Sequence, residues 1–224
     1  MAETKSLEIS ELFYSIQGES TFTGLPCVFV RLSGCNLHCA YCDSRYALEE
    51  PGRSIRLDEI LSFVAAYPGV VVEITGGEPL LQPAVHDLID KLLAHSRTVL
   101  IETNGSLDIA NIPLAATIIM DIKCPGSGST SLFLANIATI RQRAALRAGA
   151  TEIKFVLSSL QDYAWAREMV LLHDLSAVAP VLFSPVKSLF PVQDLADALL
   201  RDRLAVRLQL QLHTIIWPET PRGV

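Results

Sequence analysis

The chain has 224 residues, half of them hydrophobic and 19% charged, with a formal net charge of −6. That length supports one sizeable core rather than two, and the negative balance argues against a nucleic-acid groove as the main business of the surface. No apolar run approaches the roughly 20 residues of a membrane span. No repeat, low-complexity tract or Pro/Gly/Ser linker divides the chain, so residues 1–224 read as a single domain.

Apolar runs alternate with helix-period segments from about residue 26 onward. Val28–Leu32 reads as a strand, Leu57–Tyr67 as a helix stopped by Pro68-Gly69, and the β-branched run Val70–Thr75 as a second strand. A helix over Pro83–His95 follows, with Pro83 suited to a first helical turn. Strands are expected at Thr98–Thr103 and Thr117–Asp121, and a helix from Leu132 to Arg147 ending near Gly149. The remainder reads as strand Glu152–Leu157, helix Asp162–His173, strand Pro180–Phe183, helix Val192–Leu200 and strand Val206–Leu212. This alternation predicts an α/β fold with a parallel sheet covered by helices. Six or seven strands are too few for a closed eightfold barrel, so the expectation is a partial, open β/α barrel of about six parallel strands.

The polar motifs fall after strands. Ser33–Asp43, Thr75-Gly76-Gly77-Glu78-Pro79, Glu102-Thr103-Asn104-Gly105, Asp121-Ile122-Lys123 and Ser184-Pro185-Val186-Lys187 each follow a predicted strand. Carboxyl ends of parallel strands form the ligand face of such folds, so five motifs converge on one site.

The first motif holds Cys35, Cys39 and Cys42 in the spacing C-x-x-x-C-x-x-C. Three thiolates on one loop suit a [4Fe–4S] cube and leave its fourth iron without a protein ligand, open to substrate or cofactor. A zinc site with His38 or a distant residue is the alternative, but zinc motifs usually come as two close pairs and no second pair exists. A disulfide framework fits poorly with an odd number of cysteines and a start that does not read as a secretory leader. Cys27 and Cys124 are out of ligand register, and Cys27 reads as a small core residue.

With Tyr41 before the third cysteine, this loop resembles that of the radical S-adenosylmethionine (SAM) enzymes, and Thr75–Pro79 resembles their glycine-rich segment. Two glycines let backbone approach a ligand, and their carbonyls can accept an ammonium. Ser15-Ile16-Gln17-Gly18-Glu19-Ser20, expected before the first strand, together with Thr23–Pro26, Val30–Cys35, Gln211-Leu212-His213 and Arg222-Gly223-Val224, extends the resemblance over essentially the whole chain. The family resembled is the 7-carboxy-7-deazaguanine synthases, which contract 6-carboxy-5,6,7,8-tetrahydropterin to 7-carboxy-7-deazaguanine with loss of ammonia, in queuosine or deazapurine biosynthesis.

The resemblance implies a [4Fe–4S] cluster on the three cysteines, SAM at the open iron and regenerated by the reaction, and Mg²⁺ at Ser44. It implies SAM contacts from Tyr41, Gly77, Glu78, Asn104, Asp121, Ile122, Lys123 and Ser184. Substrate contacts follow at Ile16, Gln17, Gly18, Glu19, Arg31, Thr75, His213 and the carboxylate of Val224. Asp121-Ile122-Lys123 departs from a Ser-Pro-Lys-like segment of many members, and the aspartate could still accept from a ribose. Each residue has a plainer role available. Glu78 could cap the next helix, Asn104 could be the left-handed residue of an Asn-Gly turn, Ser44 a turn hydroxyl, and Arg31 half of an ion pair with Glu19. Physical chemistry supports Gln17 for a pterin edge, Arg31 for a carboxylate and Ser44 for a hard cation. The family reading also implies a cytoplasmic homodimer reduced by flavodoxin or ferredoxin, with no nucleic-acid or membrane partner. The rivals are a glycyl-radical activase, against which Gln17-Gly18-Glu19 and His213 argue, and a non-catalytic electron-transfer or zinc module.

Overall fold

The sheet begins earlier than residue 26. In this computed structural model, which describes residues 5–129, 134–146, 150–220 and 222–224, strand β1 (Ser6–Ile16) pairs antiparallel with β2 (Pro26–Leu32). Leu7 and Ile9 are buried in alternation, and then a bulge between Ile9 and Glu11 shifts the register. That extra residue breaks the period of two on which strand recognition depends. The Ser15–Ser20 segment therefore lies at the end of β1 and in the turn after it, not ahead of the first strand.

After the cysteine loop come α1 (Arg45–Glu49) and a short strand, β3 (Arg53–Arg56), paired antiparallel with β1; neither was expected. The rest follows the predicted alternation. It comprises α2 (Leu57–Ala65), β4 (Val71–Gly76), α3 (Ala84–Ala94), β5 (Val99–Thr103), β6 (Thr117–Asp121) and α4 (Leu134–Ala145). Then come β7 (Thr151–Leu157), α5 (Leu160–Leu172), β8 (Val181–Pro185), α6 (Val192–Asp202), β9 (Arg207–Leu208) and α7 (His213–Ile216). The expected helix ends at 132 and 147–149 lie outside the described residues.

Strand order is β3-β1-β2-β4-β5-β6-β7-β8-β9, with every pairing from β2 to β9 parallel. The sheet is open, as expected. Its parallel part holds six full strands and β9, which has two residues where seven were expected. Gln209 explains the early stop: its N–H still bonds Phe183 (2.9 Å), but its side chain turns to Thr23 Oγ1 (3.1 Å). Leu212 N–H then bonds Gly18 O at 3.0 Å, so the chain leaves the sheet edge for the β1–β2 turn.

The core lies between the sheet and its helices. Val28, Val30, Ile74, Ile101, Ile118, Ile153 and Phe155 on the strands meet Ile60, Leu88, Leu92, Ile140 and Leu195 on the helices, all fully buried. Each such side chain contributes about 1.5–3 kcal/mol of transfer free energy. Cys27 and Cys124 are likewise fully buried, as core residues should be. Among the described residues no helix is long and apolar enough to cross a membrane.

Candidate active site

Residues of β1, β2, β4, β5, β6 and β7, the loops after β2 and β8 and the C-terminal residues line a cavity of about 930 Å³. Cys35, Cys39 and Cys42, none of them in a disulfide, line one wall. The Leu37 N–H points at Cys35 Sγ (3.4 Å), and Asn104 Nδ2 lies 3.8 Å from the same sulfur. Burial pushes the Cys35 and Cys39 thiols up, and Lys123 opposes it. Three unpaired sulfurs on one cavity wall, with N–H donors aimed at one of them, fit a cluster held by three thiolates.

The glycines have a local reason to be glycines. Gly76 sits at φ +132, and a Cβ there would lie 2.2 Å from Leu32 O; at Gly77 a Cβ would lie 2.0 Å from Gly34 O. The end of β4 thus rests directly on the backbone that carries the cysteines, joined by Gly77 N–H to Leu32 O (3.2 Å) and Glu78 N–H to Gly34 O (2.9 Å). Gly76 and Gly77 line the cavity, whereas Glu78 faces away from it. Its fully buried carboxylate accepts from Leu80 N–H (3.0 Å), Asn104 N–H (2.7 Å) and Thr103 Oγ1 (2.9 Å). It caps the short 3₁₀ turn Pro79–Leu81 and ties β4 to β5.

The other residues expected around SAM divide between wall and backing. Tyr41 lines the cavity half-buried, and its phenol donates to Val156 O at 2.9 Å; burial, then Asp121, pushes its pKa up. Asn104 lines it too, donating to Asn36 Oδ1 (3.0 Å), and Gly105 rather than Asn104 takes the left-handed conformation of the turn. Asp121 and Lys123 line the cavity as a 2.6 Å ion pair, and the buried Asp121 Oδ1 has no hydrogen-bond partner among the described residues. Ile122 and Ser184 are buried off the cavity wall, with Ser184 Oγ also unpartnered among the described residues; Val186, Lys187 and Ser188 line it after β8.

Ile16, Gln17, Gly18, Glu19, Arg31, Thr75, His213 and Val224 also line the cavity. Arg31 does not pair with Glu19. Its Nε donates to Glu11 Oε1 at 2.7 Å, across the register position Glu11↔Arg31, while Glu19 accepts from Lys154 at 2.8 Å. Gly18 is fixed by space: a Cβ there would lie 2.7 Å from His213 Nδ1. Ser44 lines the cavity and precedes α1 without making a capping hydrogen bond, so its hydroxyl is uncommitted to the helix. Beside it, Glu19, Asp43 and His213 bring three ligand-type atoms within 4.8 Å of one another.

Sequence reasoning missed the charged floor. Gln17 Nε2 donates to Glu73, Thr75 Oγ1 donates to Glu102 Oε2 (3.1 Å), and Lys154 bridges Glu102 and Glu19. Burial and then Glu102 raise Glu73 well above the usual carboxylate range. Although burial disfavours its charge, Lys154 is raised well above the usual lysine value by Glu102 and Glu19. The findable signal was that Glu73, Glu102 and Lys154 each interrupt an apolar strand, where an unpaired charge is costly.

Comparisons with known proteins agree with this geometry. The family model described as Radical SAM superfamily matches residues 29–118. The chain is 43% identical to the 7-carboxy-7-deazaguanine synthase of Chlorobaculum tepidum over all of both chains. It is 42% identical to that of Koribacter versatilis over 97% of this chain and 100% of the other. In fold it is similar to the crystal structure of QueE from Escherichia coli (TM-score 0.71, 21% identity, 92% of this chain and 94% of that one). Streptococcus suis SuiB bound to S-adenosylmethionine shares the fold over 83% of this chain and 50% of its own (TM-score 0.58, 15% identity).

Proposed function

This chain belongs to the 7-carboxy-7-deazaguanine synthases, ring-contracting lyases of the radical SAM superfamily, and we propose that its cavity seats 6-carboxy-5,6,7,8-tetrahydropterin and yields 7-carboxy-7-deazaguanine and ammonia. The observation that carries this reading is one cavity lined both by three free cysteines and by a half-committed arginine. Radical SAM membership implies a [4Fe–4S] cluster and SAM. Cys35, Cys39 and Cys42 would hold the cluster, which together with SAM supplies the one-electron chemistry that starts ring contraction.

The chain's own residues bind and orient. Tyr41, Gly77, Asn104, Asp121 and Lys123 are proposed to border SAM, with Glu78, Ile122 and Ser184 holding those residues from behind. Gln17 offers both a donor and an acceptor to a pterin edge, Thr75 a hydroxyl, and Ile16, Gly18 and Glu19 complete the wall. Arg31 is assigned the substrate carboxylate, because its two terminal amines make no hydrogen bond to the described residues and can grip two oxygens in parallel. His213 and Val224 close the same side. Ser44 is proposed to ligate Mg²⁺, on the strength of a hydroxyl that makes no capping bond to α1 and lies 4.0 Å from Cys42 Sγ. The proposal extends to one domain over residues 1–224, a cytoplasmic homodimer, a flavodoxin or ferredoxin donor, and product use in queuosine or another deazapurine.

Binding tests the reading. Reconstituted protein with SAM, kept anaerobic, should bind the carboxylated pterin. Arg31→Ala should weaken that binding at least tenfold while leaving SAM affinity unchanged. Equal pterin affinity in the two proteins removes Arg31 from the site.

A further inference from the structure

Glu11 stands outside the cavity but contacts two residues that line it, Arg31 and Tyr46. The bulge after Ile9 sets it opposite Arg31 in the β1–β2 pair. One oxygen, Oε1, accepts from Arg31 Nε and from the Tyr46 phenol, both at 2.7 Å. The other, Oε2, accepts from Gly223 N–H at 3.2 Å. The Arg222 guanidinium lies over the Tyr46 ring, 4.1 Å from its centroid, and pairs with Glu50. One carboxylate therefore joins a cavity arginine, a tyrosine from α1 and Gly223, which precedes the cavity-lining Val224.

We propose that Glu11 and Tyr46 are positioning residues, which aim the Arg31 fork at the substrate carboxylate and couple that aim to the seating of Arg222–Val224. The inference rests on the reading of Arg31 given above. A guanidinium held at Nε alone keeps its plane fixed while both terminal amines stay available for two parallel bonds. The Phe13 ring, 5.6 Å from Arg31 Cζ, limits swing on one side. Without Glu11 the same arginine would keep its charge but lose its orientation, and the tail would lose one of the three contacts just named. The specific consequence is that Glu11 and Tyr46 matter only to ligands that carry a carboxylate.

The test is anaerobic equilibrium binding to the full-length, SAM-loaded protein, using 6-carboxytetrahydropterin and a tetrahydropterin lacking the carboxylate. Wild type, Glu11→Gln and Tyr46→Phe are compared; the last removes one oxygen and keeps the ring under Arg222. The expected result is at least a tenfold loss for the carboxylated ligand in Glu11→Gln, a smaller loss in Tyr46→Phe, and less than a twofold change for the carboxylate-free ligand. Parallel weakening of both ligands would make the pair merely structural and overturn the proposal, as would no change in either. Wild-type protein that binds the two ligands equally overturns the reading of Arg31 itself, and the inference with it.

Discussion

Lys154 Nζ lies 2.8 Å from Glu19 Oε2 and pairs also with Glu102, so one buried ammonium on β7 joins the turn after β1 to the end of β5. The side chain of Lys154 is 5% exposed, so little solvent can replace a lost partner. Removing one member of such a group leaves uncompensated charge. Lys154→Met is expected to lower unfolding free energy by about 3 kcal/mol, measured by urea denaturation. A loss under about 0.5 kcal/mol, the size typical of a surface pair, would contradict it.

Glu73 gives a pH signature. Burial and Glu102 raise its folded-state pKa, so the folded chain holds a proton that the unfolded chain releases. Stability from this group is full below the ordinary glutamate range and is lost as pH rises toward the raised folded value. Glu73→Gln, which keeps an amide partner for Gln17, should therefore gain stability over wild type at pH 8 and gain little at pH 5. Urea midpoints at the two pH values measure this, and a gain confined to pH 5 would reverse the sign.

Gly77 tests the contact between the two motifs. A methyl group there would press on Gly34 O at 2.0 Å and Cys35 Cβ at 2.8 Å, and backbone cannot yield as a flexible side chain can. Gly77→Ala should cost more than about 2 kcal/mol and reduce iron bound per chain after reconstitution. Normal iron content together with normal thermal stability would show that the cysteine loop does not need this close approach.

The cysteines should divide into ligands and core. Cys39→Ala should lose the cluster, read as iron and acid-labile sulfide per chain. Cys27→Ala, in a fully buried position, should keep both and lose about 1 kcal/mol from the small cavity left. Equal iron loss from the two variants would break the assignment.

Much of this site was readable because its chemistry is carried by contiguous motifs. The cysteine loop and Thr75–Pro79 follow strands that are predominantly apolar despite Arg31 and Glu73, so both the elements and their ends could be placed. Elements that depend on distant partners were not readable. The bulge in β1 disguises its alternation, and β9 is cut short by a hydrogen bond from Gln209 to Thr23, far away in sequence. Glu78 followed the same rule: Gly76 and Gly77 declare a close approach, but the partners of Glu78 on β5 decide that its carboxylate turns inward. The plainer alternative for Arg31, an ion pair with Glu19, is not formed: Arg31 lies beside Glu11, and Glu19 is taken by Lys154, a residue with no motif around it.

The central claim is that this cavity performs radical ring contraction on a carboxylated pterin. The most direct measurement is mass spectrometry of an anaerobic reaction containing reconstituted protein, SAM, Mg²⁺, a reductant and 6-carboxytetrahydropterin. The account predicts 7-carboxy-7-deazaguanine in molar excess over the SAM consumed. Absence of that product, from protein with a verified four-iron cluster, would contradict it.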